Sequence, residues 1–516
     1  MTRRLPLLAV GVAAVMVALA GCQFFPTAQQ SSGPPPTDAD GFYSQVLRWD
    51  DCGDGQECAT AKAPIDWDAP GDGAIDLALV KHVATGTKQG SLLLNPGGPG
   101  GSGWDYVSYS GDAVVGASVL EAFDVVGWDP RGVGQSTGVH CYTDDADKDA
   151  QLYGTYDSAY GTEGWIDELT TNMEDFAAAC EANTGELLGN LDAASNAKDM
   201  DMLRAVLGDE KLNYLGYSYG TYFGAVYAEL FPGNVGRFVL DGAVDPLQTD
   251  VEALTFQMAG FDSALRAYMQ DCLDGAGCPF TGDVDTALLQ VRAVLDSVDA
   301  KKFVNADGRV LDSATLATGI IENLYSETYW PSLTEMFVGL QSGDPALTFR
   351  SADDYNQRGS DGSYDSNAND VYIAATCADG DFANDPESTL ERIAEIDAAA
   401  PILGRYATYD DFAVLDVACT HWPYPRGADL PSTFTSFCAS TLSRALRTWP
   451  RAVSTSPVNG QSAPSRHDCM YARSPLSKPA IWNLSASKSV CSGSTAPSST
   501  KRPTLFGKSS AYTAPK

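Results

Sequence analysis

Histidine is scarce in this chain, with four in 516 residues. So few imidazoles leave little choice of a general base, and no cluster of His and carboxylate has ligand spacing, so no metal or cofactor is expected. Positive charge is also thin: 33 Lys and Arg stand against 67 Asp and Glu, a formal charge of −34. Phosphate binding needs clustered Lys and Arg, so nucleic acid is excluded as a partner. The acidity suits solubility outside a cell and attraction of cationic substrates, such as peptides with a free amine. Long apolar runs are missing too. The one at the N-terminus, from Leu5 to Ala20, is too short for a comfortable membrane span. Preceded by Arg3 and Arg4, it reads as the apolar region of a signal peptide covering residues 1–21.

What is present points outward from the cytoplasm. Leu19-Ala20-Gly21-Cys22 resembles a bacterial lipobox, which implies cleavage before Cys22 and lipid on its thiol. The body would then sit on the outer face of the cell membrane, each buried acyl methylene adding about 0.8 kcal/mol of affinity. Residues 22–40, rich in Ser, Pro and Gln, read as a disordered linker. Export makes disulfides plausible among the twelve cysteines. Cys52 with Cys58 and Cys272 with Cys278 could close short loops, each contributing roughly 2 kcal/mol. Cys141 with Cys180 and Cys377 with Cys419 are the natural remaining partners, although spacing alone leaves connectivity open. Cys438, Cys469 and Cys491 are left over.

Short strands alternate with helices through the middle of the chain. Ile75 to Val83, Ser91 to Leu94, Phe123 to Gly127, Leu212 to Leu215 and Arg237 to Leu240 have strand patterns. Asn196 to Leu207 and Thr221 to Leu230 have helical spacing. Such alternation predicts a mostly parallel sheet with helices on both faces, whose chemistry sits at the carboxyl ends of the strands. Ser218, framed by Gly216 and Gly220, falls at one such end, between a strand and a helix. A Gly-x-Ser-x-Gly pattern is weak evidence alone, but in this setting a sharp turn would lift the serine hydroxyl above the sheet. The Tyr219 N–H would then face a developing negative charge. The glycine-rich stretch from Asn95 to Gly103 offers a second oxyanion donor, taken here as Gly98, with Gly97 satisfying the same argument. No Lys-Ser or Lys-Thr follows these glycines, which disfavours a phosphate loop.

Four stretches in order, NPGGPGGSG, GWDPRGVGQS, LGYSYGTYFGAVYAELFP and RFVLDGAVDP, resemble exported actinobacterial α/β-hydrolases of the tripeptidyl aminopeptidase type, relatives of proline iminopeptidase. The resemblance runs from roughly Asp50 to Asp429. It implies an α/β-hydrolase core over residues 41–245, then an inserted, mostly helical cap and its re-entry into the core over 246–426. It also implies a serine peptidase releasing short peptides from free N-termini, with acidic groups in the cap gripping the amine. Asp379 is the candidate for that grip. The rivals are a carboxylesterase and a non-catalytic surface lipoprotein that binds ligands.

The resemblance fails where the triad should be completed. The fold requires Ser, then an acid, then His. Neither the acid nor the base has its family setting here. After Asp429 eleven Lys and Arg face a single acid, Asp468. Residues 427–516 read as an aberrant tail, frame-shifted or disordered, in place of the last core strands. An abrupt change near residue 434 favours a reading-frame change, which the other two frames of the gene would reveal. Of the four histidines, His82 lies on an early strand, His140 follows the Asp129 turn and His421 sits where the cap rejoins the core, which leaves His467, in the right chain order and beside Asp468, as the candidate base within that tail. Loss of the last strands would bare a sheet edge.

Overall fold

The computed structural model describes residues 34–427 apart from 247, 381, 383–385 and 407–411. The expected signal peptide, Cys22, His467 and nearly all of the aberrant tail lie outside the described residues.

The apolar runs become a seven-stranded sheet. Its strands are β1 (Asp50–Gly53), β2 (Gln56–Pro64), β3 (Ala74–His82), β4 (Ser91–Asn95), β5 (Asp124–Trp128), β6 (Leu212–Tyr217) and β7 (Val235–Asp241). Their order is β1-β2-β3-β5-β4-β6-β7. From β1 to β5 the neighbours run antiparallel, whereas β5, β4, β6 and β7 are parallel. β6 runs two residues past its apolar stretch because Gly216 and Tyr217 pair with Leu240 and Asp241 of β7. That extension carries Ser218 to the sheet's rim.

Every residue of β4 and β5 is buried, as expected for strands covered on both faces. Alternation along each strand divides the core into two layers. Leu93 and Val126 join Trp128, Tyr214 and Phe176 on one face. Leu92, Leu94 and Val125 join Trp104 and Val107 of helix Gly103–Val114 on the other. Beyond β7 the described chain is helical, beginning with Asp250–Asp274. Thr249 starts that helix with a reciprocal cap: its hydroxyl accepts from Glu252 N–H, and the Glu252 carboxylate accepts from Thr249 N–H. Helix Ala368–Asp379 returns to the core. Asn367, just before it, accepts from Gly134 N–H and donates to the carbonyls of Gly132 and Val139.

One buried ion pair ties the sheet to its helices. Arg131 and Asp199 have no exposed side-chain surface. The guanidinium makes five hydrogen bonds, two to Asp199 and one each to the carbonyls of Pro64, Ile65 and Asn190. All its donors are therefore satisfied. Removing one partner would strand a buried charge at a cost of about 3–5 kcal/mol.

Candidate active site

Ser218 stands between β6 and helix Tyr219–Leu230 with φ 49° and ψ −124°, a conformation few non-glycine residues adopt. Such strain persists where the surroundings hold it. Here Ser218 N–H donates to the Asp241 carbonyl at 3.0 Å, and the Ser218 carbonyl accepts from the Thr221 N–H and hydroxyl. The flanking glycines leave no room for side chains. A Cβ on Gly216 would lie 2.6 Å from the Gly220 carbonyl oxygen, and one on Gly220 would lie 2.6 Å from Asn95 Oδ1. Ser218 is half-buried. Its hydroxyl makes no hydrogen bond among the described residues, so it is free to meet a substrate.

The glycine-rich loop after β4 closes against this turn. A Cβ on Gly97 would fall 2.5 Å from the Tyr217 carbonyl oxygen and 3.1 Å from Tyr219 N. Gly97 N–H is already given to Asn95 Oδ1 at 2.8 Å. The Gly98 N–H, on an exposed residue, donates to nothing among the described residues. Tyr219 N–H opens its helix and has no intrahelical acceptor. Gly98 and Tyr219 thus keep unspent N–H groups, Tyr219 next to Ser218 and Gly98 one residue beyond the Gly97 that packs against the Ser218 turn.

Asp379 lies directly behind the turn. Tyr219 O–H donates to its Oδ2 at 2.5 Å, and Ala193 N–H donates to both of its oxygens. Burial pushes its pKa up to about 7 against the pull of these donors and of Arg426. Asp129, which received no role from the sequence, braces the glycine loop by accepting from Ser102 O–H, Trp104 N–H and Gln135 N–H. Burial raises its pKa to about 6. Its motif was visible in the sequence, but its partners were not.

The three described histidines are engaged elsewhere. His82 meets Gln56 and the Val107 carbonyl, His140 is held through its backbone by Thr184, and His421 pairs with Glu174 at 3.3 Å. None of these bonds reaches Ser218. The disulfides Cys52–Cys58, Cys141–Cys180, Cys272–Cys278 and Cys377–Cys419 are formed.

Residues 90–422 match the family described as alpha/beta hydrolase fold. The chain belongs to the α/β hydrolases. It is a serine hydrolase of that family. It is 36% identical over 381 residues to serine protease Hip1 of Mycobacterium tuberculosis, covering 72% of each chain. Carboxylesterase B of the same organism is 37% identical over 419 residues, covering 79% of this chain and 78% of the relative. Tripeptidyl aminopeptidase of Streptomyces lividans is 32% identical over 349 residues, covering 64% and 63%. The family match of this hydrolase stops at residue 422, short of the compositional change.

Proposed function

We propose that this serine hydrolase is an exported aminopeptidase that releases short peptides from free N-termini and is held at the membrane by lipid on Cys22. The observation that carries the reading is the strained backbone at Ser218, with its hydroxyl unpaired among the described residues and the glycine loop packed against its turn through Gly97. In the proposed reaction Ser218 Oγ attacks the substrate carbonyl, and these two donors hold the oxyanion. The serine protease and tripeptidyl aminopeptidase relatives support a peptide substrate. Four disulfides suit an oxidising compartment. Asp379 would act on the substrate amine only by exchanging one of its present donors.

Fluorophosphonate labelling of the full chain tests the nucleophile: labelling lost in Ser218→Ala supports the reading and counts against the non-catalytic lipoprotein, and an unlabelled wild type shows that Ser218 is not activated in this chain. Rates on tripeptidyl amides with free and blocked amines test the specificity. The carboxylesterase reading, favoured by the relative of that name, expects faster turnover of short-chain esters and indifference to the amine. Incorporation of labelled fatty acid, lost in Cys22→Ala, tests the anchor.

A further inference from the structure

Beneath the glycine loop, two buried amides each have one end fixed and one end idle. Asn95, 1% exposed, accepts from Gly97 N–H through Oδ1. That bond fixes which way its amide faces, and Nδ2 is left with no partner among the described residues. Asn196, 2% exposed, donates through Nδ2 to the carbonyls of Leu191 and Asp192. Its orientation is fixed as well, and Oδ1 is the end left without a partner among the described residues. The idle ends are therefore complementary, one a donor and one an acceptor.

Both amides line the same small cavity, together with Gly97, Arg131, Val371 and Ala375. It has room for about one water molecule. Arg131 cannot serve either amide, since its five N–H groups are already engaged. Val371 and Ala375, four residues apart on helix Ala368–Asp379, supply an apolar wall.

We propose that this cavity is a binding site for a single structural water, which accepts from Asn95 Nδ2 and donates to Asn196 Oδ1. The water joins the strand end carrying the glycine loop to the start of helix Ala193–Val206. Asn95 is thereby a positioning residue. Its other end holds Gly97 N–H and so fixes the turn that carries Gly98. Buried polar groups left unmade are costly, and a roomy polar site between them is where ordered water resides. The site stands on packing and hydrogen bonding alone, so it holds whichever substrate the hydrolase takes.

A crystal structure of the full chain at a resolution that orders solvent tests the site directly. Density within hydrogen-bond distance of both amide ends is expected, and an empty cavity overturns the proposal. Filling the cavity supplies a second, independent test. Ala375→Val adds methyl groups to the apolar wall and leaves both amides in place. With a water present, the added bulk expels it: the melting temperature falls, and the Gly97 amide exchanges with deuterium about tenfold faster. A dry cavity leaves the exchange unchanged, whatever the melting temperature does when the added methyl groups overfill it, and that result rejects the site. Neither readout depends on catalysis, so a failure here is separable from a failure of fluorophosphonate labelling.

Discussion

The middle of the parallel half of the sheet and its β7 edge are packed to different degrees among the described residues. At the β4 and β6 rim, Asn95, Gly97, Gly216 and Gly220 are buried and interlocked, and Ser218 is held strained between them. At β7 the strand pairs with β6 alone among the described residues. Val239, Asp241, Gly242 and Ala243 are exposed there. The contrast shows which parts of a serine hydrolase are locally determined. The Ser218 turn and the glycine loop, the proposed nucleophile and oxyanion donors, take shape from contacts among β4, β6, β7 and their turns. No carboxylate or histidine side chain among the described residues is bonded to the Ser218 hydroxyl.

The sharpest way to break this comparison is to measure turnover. A serine triad without its base retains oxyanion and binding effects but loses roughly 10⁴ to 10⁶ in rate. On a common ester or tripeptidyl amide, the full chain is expected to turn over slower than its serine protease relative by about that factor. Turnover equal to the relative's would mean that a base reaches Ser218 from outside the described residues. His467→Ala would then abolish activity and identify it.

The finished side has its own test. Gly97 adopts φ +97°, and an added Cβ would meet the Tyr217 carbonyl oxygen at 2.5 Å. Gly97→Ala therefore combines backbone strain with a backbone clash that no side-chain rotation relieves. Fluorophosphonate labelling of Ser218 is expected to slow by about 10²- to 10³-fold, as for loss of an oxyanion donor, while melting shows the chain still folded. An unchanged labelling rate would remove the glycine loop from the site.

The sequence made the finished side legible and the rest less so. Short apolar runs marked β4 and β5 because strands buried on both faces are written as continuous Val and Leu, and β6 and β7 carried shorter apolar runs although only Phe238 of β7 is buried. The elbow was legible because a sharp strand-to-helix turn admits small residues only, as Gly216 and Gly220 show. The β1–β2 hairpin was missed. β2 is built from QECATAKAP, whose alanines fill a covered face without advertising it. Arg131 and Asp199 could not be assigned because they lie 68 residues apart, and the local bonds of Asn95 to Gly97 and of Asn196 to Leu191 and Asp192 follow turns that no spacing rule marks. Spacing signals local geometry; it carries no information about which buried amide meets which carbonyl.

Asp379 sharpens the comparison through pH. Its pKa rises from 3.8 to about 7 in the folded chain, chiefly by burial. The folded state thus binds this proton more tightly than the unfolded state does. The stability it contributes is complete below about 3.8 and is lost as pH rises through the folded value. Asp379→Asn has no proton to lose. Between pH 5 and pH 7 the wild type should lose more melting temperature than the variant, with Asp129, at about 6, leaving a residual slope in both. Parallel profiles would show that the carboxylate behind Tyr219 is ionised throughout.

The smallest expected effect lies at the unfinished edge. Val239 is 38% exposed on β7, where the outward N–H and carbonyl groups have no strand partner among the described residues. Exposed apolar edges recruit other chains, and lysine is a common way to blunt them. Val239→Lys should change stability by no more than about 0.5 kcal/mol, because little buried surface is lost. It should nonetheless reduce self-association measured by sedimentation at rising protein concentration. If association is the same in both proteins, then β7 is shielded by residues outside 34–427, and the apparent asymmetry between the sheet's middle and its β7 edge belongs to the described residues alone.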